Sequence, residues 1–342
     1  MFSIIMIQRE RIQSMKLGII GYGFIIREFL PGLVTLPGIE IQAILGKPGR
    51  EEAVETLCKQ FQIPQGVYNF PDLLATGIDT VYVAVPNHLH FSYGKMALEA
   101  GLNVILEKPM TSNQREAEIL QTMAMERGLF LFEAITTLYL PGYETIRQWL
   151  PQIGQVRMVQ SHYVKYSSRY DAFRKGQTPP AFDPAQSGGA LMDLNVYNIH
   201  FVTGLFGLPE SVQYTANIER GVDLNGMLVM QYPGFTALCT AGKDCSQLRS
   251  CAILGTQGAI YTDDASSIIG NVTLELRNGI RESFPDPDGK LRHLQEFSSF
   301  RDAIHSGDTA FCYRQLSHSI RVMHLLDQAR ISAGIHFPAD EI

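Results

Sequence analysis

The chain of 342 residues has no block of like charges: 28 lysines and arginines face 34 aspartates and glutamates, for a net charge of −6. That balance speaks against nucleic acid or an anionic membrane surface as the main partner. No apolar run approaches the length of a bilayer span. Phe2 to Ile7 is apolar but too short for a signal-peptide core, and its basic neighbours Arg9 and Arg11 come after it. Cysteine is scarce. Cys58, Cys239, Cys245, Cys251 and Cys312 are odd in number and irregular in spacing. They suggest neither a disulfide framework nor a zinc knuckle, and they suit a reducing, cytoplasmic compartment. Internal repeats and low-complexity linkers are absent too.

What is present is an ordinary globular composition, 45% hydrophobic and 18% charged, in a chain long enough for two domains. Strand and helix patterns alternate at first. Leu17–Ile20 reads as a buried strand, followed by Gly21-Tyr22-Gly23 and a helix from Ile25 to Val34. Ile39–Leu45, Thr80–Val85, Val104–Leu106 and Leu129–Phe132 read as further strands. Helices are expected near residues 50–62, 90–100 and 114–127, the last two stopped by Gly101 and Gly128. This rhythm predicts an α/β fold with a doubly wound parallel sheet over residues 15–134. Met15 directly precedes the first strand, so residues 1–14 read as an extension. After Glu133 strands dominate: Val156–Lys165, Ser211–Ile218, Met227–Gln231, Thr236–Thr240, Ser250–Leu254 and Val272–Leu276. Helices recur only near residues 191–206, 291–305 and 315–332. Residues 135–342 are therefore expected to form an α+β domain with a large, mostly antiparallel sheet.

The chemistry concentrates at strand ends. Asn103-Val104-Ile105-Leu106-Glu107-Lys108-Pro109 is an apolar run ending in a lysine, where ligands sit in an open α/β sheet. A lysine there can be tuned by burial and exchange protons with a substrate. A lone Lys-Pro pair would read as a solvated loop start. The glycine turn upstream, and a matching strand end at Val85-Pro86-Asn87, reverse that preference. At Gly21-Tyr22-Gly23 the backbone of Gly23, Phe24 and Ile25 can hold a pyrophosphate, although Ile26 replaces the third fingerprint glycine. The second strand ends Gly46-Lys47-Pro48-Gly49-Arg50, without the acid that would accept from a ribose 2′-OH. Lys47 and Arg50 would attract a 2′-phosphate, which favours NADP over NAD; a solvated loop is the plainer alternative. His88 and His90 are expected to line the cofactor cleft, and no completing ligand pair supports a metal. Further on, Asp193, Tyr197 and His200 follow the glycine pair Gly188-Gly189 at i, i+4 and i+7. On a continuous helix they share one face, either a substrate wall or a water-facing stripe.

Taken together, Gly21-Tyr22-Gly23, Val85-Pro86-Asn87-His88-Leu89-His90, Glu107-Lys108-Pro109, Glu133-Ala134, Gly188-Gly189-Ala190-Leu191-Met192-Asp193 and Gly255, Thr256, Gly258 resemble the glucose-fructose oxidoreductase/inositol dehydrogenase (Gfo/Idh/MocA) family from Met15 onward. The resemblance implies an N-terminal Rossmann domain and a C-terminal domain whose open sheet packs on another subunit, giving a homodimer or homotetramer. It implies hydride transfer between NADP or NAD and a sugar, polyol or diol. The family lysine falls on Lys108, often before a cis proline, here Pro109, and the family aspartate on Asp193. Tyr197 stands where many relatives carry histidine, and tyrosine there resembles the glucose-fructose oxidoreductase and dihydrodiol dehydrogenase branches. The expected cofactor contacts are Gly21, Gly23, Phe24, Ile25, Lys47, Arg50, Pro86, Asn87, His90, Glu107 and Lys108. Lys108, Asp193 and Tyr197 are the expected catalytic group, joined by His200 in holding substrate. Leu138 and Leu140 replace an arginine and a histidine of many relatives. That departure leaves one alternative, a nucleotide-sensing protein that has lost the reaction.

Overall fold

The computed structural model describes residues 14–285 and 292–341. Nearly all of the expected 1–14 extension lies outside the described residues. The chain begins with β1 (Met15–Ile20), α1 (Phe24–Leu33), β2 (Ile39–Leu45), α2 (Glu51–Phe61), β3 (Gln65–Val67) and α3 (Phe70–Leu74). It continues through β4 (Thr80–Val83), α4 (His90–Glu99), β5 (Asn103–Glu107), α5 (Gln114–Arg127) and β6 (Leu131–Ala134). These six strands form one parallel sheet in the order β3-β2-β1-β4-β5-β6. The order reverses between β1 and β4, which opens a crevice beyond their carboxyl ends. Every residue of β4 is buried, and in β5 only Asn103 is not. Burial on both faces is why their sequences run apolar without alternation. Local signals set the helix ends: Asn113 caps α5 by accepting from Glu116 N at 2.9 Å, and Gly128 closes it in the left-handed region.

The second half contains α6 (Pro141–Trp149), β7 (Val156–Val164), α7 (Tyr170–Arg174), α8 (Val196–Phe206), β8 (Ser211–Glu219), β9 (Val222–Tyr232) and β10 (Phe235–Gly242). After them come β11 (Leu248–Gly255), β12 (Gly258–Thr262), β13 (Val272–Leu276) and β14 (Arg281–Phe284). Eight strands form a sheet in the order β14-β13-β12-β11-β7-β10-β9-β8, antiparallel except for the β7–β10 pair. The sequence reading missed β12, which starts at a glycine turn, and β14, whose Arg281-Glu282-Ser283-Phe284 is a polar edge strand without apolar alternation. Along β9 the inward Leu228, Met230 and Tyr232 alternate with exposed Met227 and Val229. The inner face packs on α8, while Met158, Met227, Val229, Leu248 and Leu254 are exposed.

The last helices, α9 (Arg292–Ser306) and α10 (Thr309–Ser332), cross back to the first sheet. Phe297 meets Tyr82 edge-on at 5.0 Å, and Phe300 stacks on Phe132 at 4.5 Å. A parallel sheet needs both faces covered, and α9 joins α1 and α2 in the cluster that buries Leu17, Ile19, Tyr82, Ile105 and Phe132 on one of them. The expected division at residue 134 describes the chain order, but this return joins part of 135–342 to the Rossmann core.

Candidate active site

The dinucleotide end of the crevice is made of backbone. Gly21 has φ +120°, and a Cβ there would stand 2.2 Å from Ala84 O, so only glycine lets β1 turn this close to β4. Gly23 forms the N-cap of α1 with no side-chain hydrogen bond, and nothing lies within 4 Å of where its Cβ would stand. Open space therefore faces the first N–H groups of α1, Phe24 and Ile25 among them, which have no intrahelical partner. No acidic residue sits in that first turn. The vacant donors, positive dipole end and open front fit a pyrophosphate. Beyond β2, Gly46 is buried and a Cβ there would come 2.4 Å from Val54 Cγ2. An acid at that position has no room, whereas Lys47 and Arg50 are exposed on the loop.

Two expected cofactor contacts turn away from this space. His90 is fully buried, with its ring nitrogens 2.9 Å from Pro109 O and 2.9 Å from Val85 O. It staples the β4 exit to the Lys108–Pro109 turn, whose peptide bond is cis. Glu107 also points inward, accepting from the Tyr82 hydroxyl and, at 3.3 Å, from Lys108 N. Burial pushes its carboxyl up to about 7. Alternation along β5 explains this: Glu107 and Lys108 leave the strand in opposite directions. Pro86 and Asn87 are half-buried beside the crevice, and Asn87 Nδ2 donates to Ser187 O at 2.9 Å.

At the reacting end Lys108 Nζ donates to Asp193 O at 2.8 Å and Asp193 Oδ1 at 3.0 Å, and lies 4.8 Å from the Tyr197 ring centroid. The other carboxylate oxygen, Oδ2, accepts from Lys243 Nζ at 2.7 Å. Lys243 escaped the sequence reading because Gly242-Lys243-Asp244 after a strand looks like any polar turn. Burial favours a neutral Asp193, but the ammonium groups of Lys243 and Lys108 hold its carboxyl well below the usual range. Burial likewise opposes the charge on Lys108, yet Tyr197, Asp193 and Glu107 hold its ammonium above the ordinary lysine value. Burial pushes the Tyr197 phenol up, against the pull of Lys108. The group is thus a protonated lysine beside a neutral phenol, fixed by an ionised aspartate.

A single π turn, Leu191–Asn195, precedes α8 and carries Asp193. Asp223 of β9 anchors its start, accepting from Leu191 N at 2.6 Å. The extra residue in that turn breaks the continuous-helix geometry on which the i, i+4, i+7 stripe rested. Asp193 and Tyr197 meet at Lys108, but His200 does not join them. It is fully buried, with Nδ1 3.1 Å from His318 Nε2. Its Nε2 is 3.2 Å from Glu133 Oε2, close though off a hydrogen-bond axis. The interior pairing replaces the expected substrate contact. Among the described residues, no group of three or more His, Cys, Asp or Glu is placed to hold a metal. No described helix is long and apolar enough to cross a membrane.

Comparison with known proteins agrees with the fold. Residues 15–134 match the family described as "Oxidoreductase family, NAD-binding Rossmann fold", and residues 143–261 match the "GFO/IDH/MocA C-terminal domain". Scyllo-inositol 2-dehydrogenase (NADP(+)) IolU of Bacillus subtilis (strain 168) is 31% identical, over 95% of this chain and 99% of its own length. Trans-1,2-dihydrobenzene-1,2-diol dehydrogenase of Mus musculus is 28% identical, over 96% and 99%. Among solved structures, KijD10, a 3-ketoreductase from Actinomadura kijaniata in complex with NADP and TDP-benzene, superposes with a TM-score of 0.81 at 26% identity, covering 93% of this chain and 98% of that one. With both domains matched and relatives aligned almost from end to end, the chain belongs to the Gfo/Idh/MocA oxidoreductases, enzymes that move hydride between a nicotinamide and a hydroxyl- or carbonyl-bearing carbon.

Proposed function

We propose that the protein is an NADP-preferring dehydrogenase or reductase of a small sugar, polyol or diol, with Lys108, Asp193 and Tyr197 as its catalytic group. The observation that carries this reading is the Lys108 ammonium, held by Asp193 beside the Tyr197 ring at the carboxyl end of β5. The bound dinucleotide would supply the hydride acceptor or donor at nicotinamide C4. In reduction, the substrate carbonyl oxygen takes a proton as the carbon gains hydride. The Lys108 ammonium is charged to give it, with the Tyr197 phenol as the adjoining donor; oxidation runs the same route in reverse, from Lys108 that has first released its proton to water. Asp193 fixes Lys108 and so sets where that proton stands. The NADP preference rests on Lys47, Arg50 and the lack of room for an acid at Gly46. The substrate class rests on relatives named for scyllo-inositol and a dihydrobenzenediol.

Leu140 is buried in the core and Leu138 packs against it. Both leucines serve packing, and the Lys108, Asp193 and Tyr197 group is assembled beside them, which weakens the ground for a nucleotide sensor. The exposed apolar face of the large sheet supports self-association as a homodimer or homotetramer. Free cysteines throughout support a cytoplasmic setting. The reading is tested by following reduced-cofactor absorbance with NADP or NAD and a panel that includes scyllo-inositol and a trans-dihydrodiol. Turnover is expected, faster with NADP. Tight NADPH binding without turnover of any polyol, diol or ketone would favour the sensor.

A further inference from the structure

Lys243 reaches the reacting cluster from the turn after β10. Its backbone is held on two sides, with Lys243 N donating to Leu224 O and Ser167 N donating to Lys243 O, both at 2.8 Å. Its side chain, 2% exposed against 13% for Lys108 and 33% for Asp193, runs beneath the cluster. An ammonium has three donors. Here one goes to Asp193 Oδ2 at 2.7 Å and one to Ala181 O at 2.7 Å, with the Phe182 ring centroid 4.5 Å away. The third is sealed in with the side chain, beside that ring and away from the cleft. The carboxylate is shared with one lysine on each oxygen: Lys108 on Oδ1, Lys243 on Oδ2. With Lys108 alone, Asp193 could turn about its side-chain axis and carry the Lys108 ammonium with it.

Ala181 and Phe182 belong to the segment between α7 and the π turn. Farther along that segment, Ser187 O accepts from Asn87 at 2.9 Å and Ser187 Oγ donates to Ser112 Oγ at 2.7 Å. Lys243 therefore ties the reacting carboxylate to a segment that docks on the Rossmann domain. We infer that Lys243 is a positioning residue of the reaction, holding Asp193 from its sealed side so that the surplus positive charge of the cluster stands on Lys108, at the cleft. This rests on the proposed role of Lys108. The charged groups facing Lys243 are Asp193 of the π turn, Lys108 at the end of β5 and Asp223 of β9, and burial depresses its own pKa. Two ammonium groups on one carboxylate repel each other, so removing Lys243 raises the Lys108 titration by about one pH unit.

The test needs no known substrate. NADPH-bound protein is labelled competitively with acetic anhydride across a pH series, and Lys108 is read by peptide mass spectrometry. Lys243→Met should lower the Lys108 labelling rate at each pH by about tenfold while NADPH affinity stays within about twofold. An unchanged or raised labelling rate in a variant that still binds NADPH overturns the inference. Should Lys243→Met fail to fold, Lys243→Gln removes the same charge and keeps a polar side chain at that place. It should lower the Lys108 labelling rate in the same way, and an unchanged or raised rate overturns the inference. Where scyllo-inositol is turned over, Lys243→Met should lower kcat more than it raises KM, and much less so in the Asp193→Asn background. Equal losses in both backgrounds would mean that Lys243 only supports the Ala181–Phe182 segment. Absence of turnover in the unmodified protein fails the proposed function and leaves the labelling result standing.

Discussion

The two ends of the crevice hold charge by different means. At the start of α1 backbone N–H groups stand before empty space, and no side chain caps the helix. At the end of β5 the charges are side chains: Lys108 and Lys243 on the two oxygens of Asp193. The first device depends on where the chain passes and is damaged by an added methyl group. The second depends on which groups meet and is damaged by neutralising one of them. A phosphate that has only to be bound suits the first, and a proton that must move suits the second.

Neutralising Lys108 should have the largest effect on turnover. A positioned acid/base group contributes ~10²–10⁴-fold to rate, so Lys108→Met should lower kcat by about that factor. NADPH affinity should stay nearly intact, since the Lys108 ammonium is spent on Asp193 and faces Tyr197. Tyr197→Phe should cost as much or less, and the two losses should be less than additive, because both disable one proton transfer. Steady-state kinetics beside an NADPH titration reads both quantities. Loss of NADPH binding in Lys108→Met would erase the contrast, making that lysine a cofactor anchor.

At the other end the same small change should have two outcomes. Gly21→Ala puts a Cβ 2.2 Å from Ala84 O at φ +120°. Roughly 2–4 kcal/mol of stability should be lost, and cofactor binding with it. Gly23→Ala meets nothing within 4 Å and has φ −73°. It should melt close to the unmodified protein yet bind NADPH weakly, because its methyl group fills the space in front of α1. Thermal melts paired with fluorescence titration separate the two. Unimpaired NADPH binding by Gly23→Ala would place the pyrophosphate elsewhere.

The same difference governs how much could be read in advance. The parallel sheet was legible because buried strands and capped helices leave local marks, and Gly21-Tyr22-Gly23 is a local turn. Lys108 was legible as the residue closing an apolar run. Lys243 left no mark, since its partners Ala181 and Asp193 come from separate elements that only the folded chain brings together. His200 misled for the opposite reason. Its spacing presumed a continuous helix, but the Leu191–Asn195 π turn changes the direction of Asp193, and Glu133 and His318 draw His200 inward. His90 and Glu107 sit in the right segments, yet backbone carbonyls and Tyr82 take their polar atoms.

The smallest expected effect lies on the exposed loop after β2, where side chains supplement the backbone device. Lys47 and Arg50 are solvent-exposed, so their attraction for a 2′-phosphate is screened by salt. Lys47→Glu puts a negative charge where the phosphate would sit, while Gly46 and the fold around Val54 stay as they are. The ratio of NADPH to NADH affinity should fall by about tenfold, about 1.4 kcal/mol, through weaker NADPH binding with NADH nearly unchanged. Raising the salt concentration should shrink the preference of the unmodified protein in the same direction. Parallel fluorescence titrations with the two cofactors, at low and high salt, measure this. Tighter binding of NADH than NADPH by the unmodified protein would show that Lys47 and Arg50 are only solvated loop residues, and that the 2′ position is read elsewhere.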